Sequence, residues 1–186
     1  MRVKRYIQPI TPDQRRVVCE TTSRYLELAG ELFHIELAPI LVEFDLEGRS
    51  AGMYRNRYGR RTIRYNAYLF AKYFADNLAT TVPHEVAHYA ADVLYGAHRI
   101  KPHGVEWQGI MRALGAEPRA TGRYDLEGVP VRRQRRFGYR CRCGTHWLSA
   151  TRHNRVLRRN GSYLCRRCGA ELVHQEEAVS PTSAQE

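Results

Sequence analysis

The 186 residues, 43% of them apolar, suffice for one hydrophobic core and a small satellite domain, which excludes a disordered chain. No apolar run approaches the ~20 residues needed to cross a membrane. The basic opening Met1-Arg2-Val3-Lys4-Arg5 leads into no apolar segment, so no signal peptide is expected and a cytoplasmic protein is. Of the +11 net charge, twelve arginines fall between residues 128 and 170, a stretch without lysine or acid, while the other 18 basic residues nearly balance the 19 acids. That asymmetry points to a polyanion partner.

Residues 1–10 read as an extended lead-in. Thr11 then caps a helix with Pro12 in its first position, and Val17, Val18, Tyr25, Leu26 and Leu28 supply an apolar side that ends near residue 29. Cys19, alone in this helix, reads as a small core residue. A three-stranded antiparallel region is expected over residues 40–45, 52–55 and 62–66, with turns at Asp45-Leu46-Glu47-Gly48 and Tyr58-Gly59-Arg60. Residues 67–75 read as a second helix.

The chemistry begins at Pro83-His84-Glu85-Val86-Ala87-His88. Apolar Leu78, Val82, Val86, Ala87, Ala90, Ala91 and Leu94 recur at helical spacing, and Gly96 provides a stop. Residues four apart share a helix face, so His84 and His88 can grip one metal ion. Glu85 then lies within reach of a water on the ion's open side, the pattern of a zinc protease. A third ligand is expected from the chain beyond the helix. His103, His98 and Glu106 are the candidates, and His103 is preferred because Pro102 and Gly104 mark a turn that returns the chain. Residues 105–114 make another helix, with Trp107, Ile110 and Met111 on its buried side.

Residues 116–136 read as a linker ending in Arg132-Arg133-Gln134-Arg135-Arg136. A cysteine module follows. Cys165-x-x-Cys168-Gly169 is a regular half-site for a structural zinc, with Cys141 in the other half and the remaining ligand open between Cys143 and His146. Around these sit Arg140, Arg142, Arg152, Arg155, Arg158 and Arg159, which with Arg132, Arg133, Arg135 and Arg136 are the candidate phosphate contacts. Residues 176–186 are expected to be disordered.

In its metal motif, in Pro102-His103-Gly104-x-Glu106-Trp107 with Met111, in Tyr139-Arg140-Cys141-x-Cys143 with His146, in Arg152-His153-Asn154-Arg155-Val156 and in Tyr163-x-Cys165-x-x-Cys168-Gly169, the chain resembles the SprT family. These are bacterial relatives of Spartan-type DNA–protein crosslink proteases. The resemblance implies an α+β, zincin-like metalloprotease domain over residues 1–128, with a small antiparallel sheet, and a basic linker and zinc ribbon over 129–175. It also implies His84, His88 and His103 as ligands of a catalytic zinc, Glu85 as the catalytic residue, and protein substrates bound or crosslinked to DNA. The rival expectations are a zinc-containing nucleic-acid-binding protein without peptidase activity and a processing protease with no DNA role.

Overall fold

The computed structural model describes residues 6–120, 122, 124–131 and 135–175. The chain divides into two compact units, residues 1–132 and 133–186. Arg132 and Arg133, and the tail over 176–186, lie outside the described residues.

In the first unit, helix α1 (Pro12–Phe33) starts on a reciprocal cap. The Thr11 hydroxyl accepts from the Gln14 amide at 3.2 Å, and the Gln14 side chain accepts from the Thr11 amide at 2.9 Å. The helix outruns its expected end by four residues and stops where His34 turns left-handed, with φ 50°.

The sheet corrects one expectation. Strands β1 (Leu41–Glu43), β2 (Gly52–Arg57) and β3 (Arg60–Tyr65) lie in the order β1-β3-β2, with β2 and β3 antiparallel but β1 parallel to β3. Residues 44–51 carry the chain past β3 to its far side, so β2 is an edge strand.

The expected helix over 67–75 is two short ones, α2 (Ala67–Lys72) and α3 (Phe74–Ala79). Buried Asn77 ties the break together. Its amide donates to the Leu69 and Tyr73 carbonyls, and its Oδ1 accepts from the Thr81 hydroxyl at 2.7 Å.

That last bond sits at the start of α4 (Thr81–Tyr95), the helix around which the unit packs. Pro83 falls in its first turn, where a missing N–H costs nothing. Val82, Val86, Ala87 and Ala90 are fully buried, in one core with Val18 and Ala29 of α1, Ile63 and Tyr65 of β3, and Trp107 and Ile110 of α5 (Val105–Ala113). A helix apolar on most of its circumference belongs inside. No described helix is long and apolar enough to cross a membrane.

Part of the expected linker packs on this unit. Val129 is buried against Ala51 and Leu69 with Tyr124 and Leu126 beside it, and Lys72 pairs with Asp125 at 2.6 Å.

The second unit is an antiparallel sheet of β4 (Arg136–Cys141), β5 (Gly144–Ser149) and β6 (Val173–His174), in the order β5-β4-β6. A helix that the sequence reading lacks, α6 (Ala150–Leu157), is capped by Ser149. The buried core is Tyr139, Leu148, Cys165 and Leu172.

Candidate metal centres

One turn of α4 sets His84 beside His88, and the loop after the helix brings back His103. The three Nε2 atoms form a triangle with sides of 3.2, 3.1 and 3.1 Å. Three ligands sharing one ion at ~2.0–2.1 Å are spaced in this way. His103 achieves its position in a left-handed backbone conformation, φ 59°, between Pro102 and Gly104. Such strain in a residue with a Cβ marks a side chain that the surroundings hold in place. The Gln108 amide donates to the His103 carbonyl at 3.1 Å, and the turn closes from the Gly104 amide to the Lys101 carbonyl. His98 and Glu106, the rivals for third ligand, are not in this group.

Burial and the neighbouring rings keep the imidazoles neutral, the form that binds metal. His84 is pushed down to about 4 by desolvation and by His103, and His88 to about 3 by desolvation, His84 and His103. Desolvation also lowers His103. Trp107, 1% exposed, packs its ring against all three, with centroids 4.7, 5.5 and 4.7 Å from those of His84, His88 and His103. Its indole N–H donates to the His84 carbonyl at 3.3 Å.

Glu85 is buried, and its carboxylate meets the edge of β2. The Tyr54 amide donates to Oε2 at 2.6 Å. Burial raises this carboxyl to about 8, against the pull of the Tyr54 N–H. The approach needs Gly52, because a Cβ there would lie 2.5 Å from Glu85 Oε1 and 2.7 Å from the Thr81 methyl.

One helical turn beyond His88, buried Asp92 fastens the same strand. Its Oδ2 accepts from the Tyr54 hydroxyl (2.6 Å), the Asn56 amide (2.8 Å) and the Arg61 guanidinium (3.0 Å), while Oδ1 accepts from the Ala97 amide (2.9 Å). Burial opposes its charge, but these four donors outweigh it and bring the carboxyl down to about 2. A cavity of about 90 Å3 opens beside the histidines, lined by Tyr54, His88, Asp92, Lys101, His103 and Trp107. Gly52, Tyr54 and Asp92 are functional candidates that the sequence reading missed. The only local signal was an aspartate on a largely apolar helix, four residues past a ligand.

In the second unit the four cysteines gather. Cys143 Sγ lies 3.2 Å from Cys141 and 3.4 Å from Cys165, and Cys168 lies 3.7 Å from Cys141. His146 Nε2 is 3.1 Å from the Cys141 sulfur, so both candidates for the remaining ligand reach this group. Backbone amides favour the thiolates of the second half-site: the Ala170 N–H brings Cys168 down to about 6, and those of Cys168 and Arg167 lower Cys165. Thiolates are the metal-binding form. Cys143 is pushed the other way, up to about 12, by its contacts with the Cys141, Cys165 and Cys168 thiols, so its thiolate depends on an ion to favour it. The cluster can therefore hold a metal ion.

Arg135, Arg136, Arg140, Arg142, Arg152, Arg155, Arg158 and Arg159 are all exposed, and none makes an ion pair among the described residues. The aromatic residues divide. Tyr139 is fully buried in the core, while Arg152 lies 5.7 Å over half-buried Tyr163 and Arg135 lies 5.4 Å over Phe137.

Residues 22–134 match the SprT-like family. Protein SprT of Vibrio parahaemolyticus serotype O3:K6 is 35% identical over 148 residues, 79% of this chain and 86% of that protein. Protein SprT of Pasteurella multocida is 31% identical over 161 residues, 86% and 93% of the two chains. That of Shewanella oneidensis is 39% identical over 132 residues, 70% and 80%. No solved structure matches the chain significantly.

Proposed function

The chain belongs to the SprT-like family, and from that premise we propose that it is a zinc-dependent metallopeptidase of zincin-like architecture acting on proteins bound or crosslinked to DNA. The observation that carries this reading is the triangle of Nε2 atoms from His84, His88 and His103, 3.1–3.2 Å on a side, two of its corners on the helix that also carries buried Glu85. Zinc held there supplies Lewis acidity, which lowers the pKa of water towards ~7 and polarises the scissile carbonyl.

The protein's own groups do the rest. With the ion's charge beside it favouring the ionised form of this buried carboxyl, Glu85 would take the proton of the attacking water and return it to the leaving amine. The Tyr54 amide fixes one carboxylate oxygen, so the other is free for that exchange. Trp107 walls off the far side of the imidazoles and keeps bulk water from their buried faces.

We assign the cysteine cluster to a structural zinc on Cys141, Cys143, Cys165 and Cys168. Cys143 lies within 3.4 Å of two of the other sulfurs. His146 has its one hydrogen-bond-length contact with Cys141, although it lies within 4.8 Å of Cys143 and Cys165 as well, and suits a hydrogen-bonded supporting role. The eight exposed arginines without acidic partners support a nucleic-acid contact by this unit.

The test is cleavage of a DNA-binding protein by zinc-loaded enzyme, with and without single- and double-stranded DNA, against Glu85→Gln. DNA-dependent cleavage that falls on the order of 10²–10⁴-fold in the variant, at unchanged zinc content, is the expected result. DNA-independent cleavage returns the reading to a processing protease. Tight DNA binding with no cleavage returns it to a non-proteolytic binding protein.

A further inference from the structure

The end of the β2–β3 hairpin breaks two rules of local β-structure. Its two-residue turn is Tyr58-Gly59, with both residues left-handed at φ 53° and 81°. Such turns favour glycine, or asparagine and aspartate with their short hydrogen-bonding side chains, in the first position, and a bulky aromatic residue is disfavoured there. Tyr58 gains no burial in return, because the residue is 97% exposed.

The last cross-strand pair is Arg57 opposite Arg60, like charges face to face. Neither makes an ion pair among the described residues. The acids that pair with this sheet's arginines are committed elsewhere: Glu43 to Arg55 and Arg64, Asp45 to Arg64, and Asp92 to Arg61. Folding would be better served by other residues at all three positions, and sequences depart from local preference in this way at functional sites.

The turn is also held still. Asn56 Oδ1 accepts from the Gly59 amide at 3.2 Å, while its amide donates to Asp92 on α4 at 2.8 Å. The Arg57 guanidinium lies 5.8 Å over the Tyr58 ring.

We propose that Arg57, Tyr58 and Arg60 form a binding point for single-stranded nucleic acid on the catalytic unit. Two free cations suit phosphates, and an open aromatic face suits an unpaired base. A duplex hides its base faces, and an acidic peptide has no use for the ring. Tyr58 is four residues from Tyr54, ~13 Å along a strand, so nucleic acid held at the turn lies on the strand that fastens Glu85. The inference rests on the nucleic-acid part of the function proposed above and extends it to residues outside the cysteine unit.

The experiment is fluorescence anisotropy of the full zinc-loaded chain with an oligothymidylate and with a duplex, across a salt series, with thermal unfolding alongside. Tyr58→Asn should weaken single-strand binding about tenfold, spare the duplex, leave the salt slope unchanged and raise the melting temperature. Arg57→Gln/Arg60→Gln should reduce the log–log salt slope for the single strand by about 1.4, ~0.7 for each phosphate no longer neutralised. Unchanged single-strand affinity in both variants overturns the proposal. So does a lower melting temperature in Tyr58→Asn, which gives the ring a folding role. Equal competition by polyglutamate and oligothymidylate, insensitive to Tyr58, assigns the turn to acidic protein segments and overturns it too. Binding is read without turnover, so a wild type that binds as described but cleaves nothing sinks the peptidase reading and leaves this one standing.

Discussion

The two candidate metal centres are built on opposite principles. Two of the histidines rest on a helix whose Val82, Val86, Ala87 and Ala90 are fully buried in a core shared with α1, β3 and α5, and a buried indole backs all three rings. The cysteines lie on short strands and turns around a core of four residues, one of which is itself a cysteine. The first centre is a feature added to a fold, while in the second the ligands are much of the fold. Stripping the metal should therefore empty the first and dismantle the second.

Chelation is the largest test of that contrast. Zinc contributes on the order of 10–16 kcal/mol to the folding of small cysteine modules. Amide hydrogen exchange after chelator treatment should show residues 135–175 unprotected and α4 still protected. Retained protection in the β4–β5 pair would end the comparison.

The next largest effect lies in the scaffold of the first centre. Asp92→Ala leaves the Tyr54 hydroxyl, Asn56 and Arg61 without their acceptor and should cost about 3 kcal/mol in denaturant unfolding. Its pH dependence has a definite sign. A carboxyl lowered in the folded state to about 2, from ~3.9 unfolded, contributes about 2.5 kcal/mol at neutral pH. That stability is fully present above pH ~4 and is lost as pH falls towards about 2, so Asp92→Asn should flatten this part of the stability curve.

Gly52→Ala should cost about 1–3 kcal/mol by overpacking. It should also lower kcat more than zinc affinity, since the methyl displaces Glu85 and touches no ligand. The smallest effect separates the cysteine-unit donors. Cys143→Ser should abolish stoichiometric metal in that unit, while His146→Ala should weaken it about tenfold; the reverse order would make His146 the fourth ligand.

What the sequence reveals follows the range of the interactions. The His84–His88 pair is legible because four residues make one helical turn, and Pro102-His103-Gly104 because a turn is a local event. The fastening of Glu85 to Tyr54 spans 31 residues, and that of Asp92 to Asn56 spans 36, so no periodicity announces either. The same blindness explains the sheet. A β-branched, apolar run marks β1 as a strand and alternation marks β3, but their parallel pairing depends on a connection that crosses to the far side of β3. The break at Tyr73 is set by Asn77, a polar residue whose partners only the folded chain supplies. Leu126 and Val129 sit among turn-forming residues that suggest a linker, yet two apolar side chains are enough to close a small cluster.

The stacking of Trp107 on the three imidazoles has an optical consequence. The chain holds two tryptophans, and the other, Trp147, lies in β5 of the second unit. Replacing Trp147 with phenylalanine leaves a single tryptophan, packed against the histidine triad and excited selectively over the twelve tyrosines at long wavelength. Its emission then reports the occupancy of that centre directly, giving the protein a native sensor with which the loading of one site can be followed while the other stays dark.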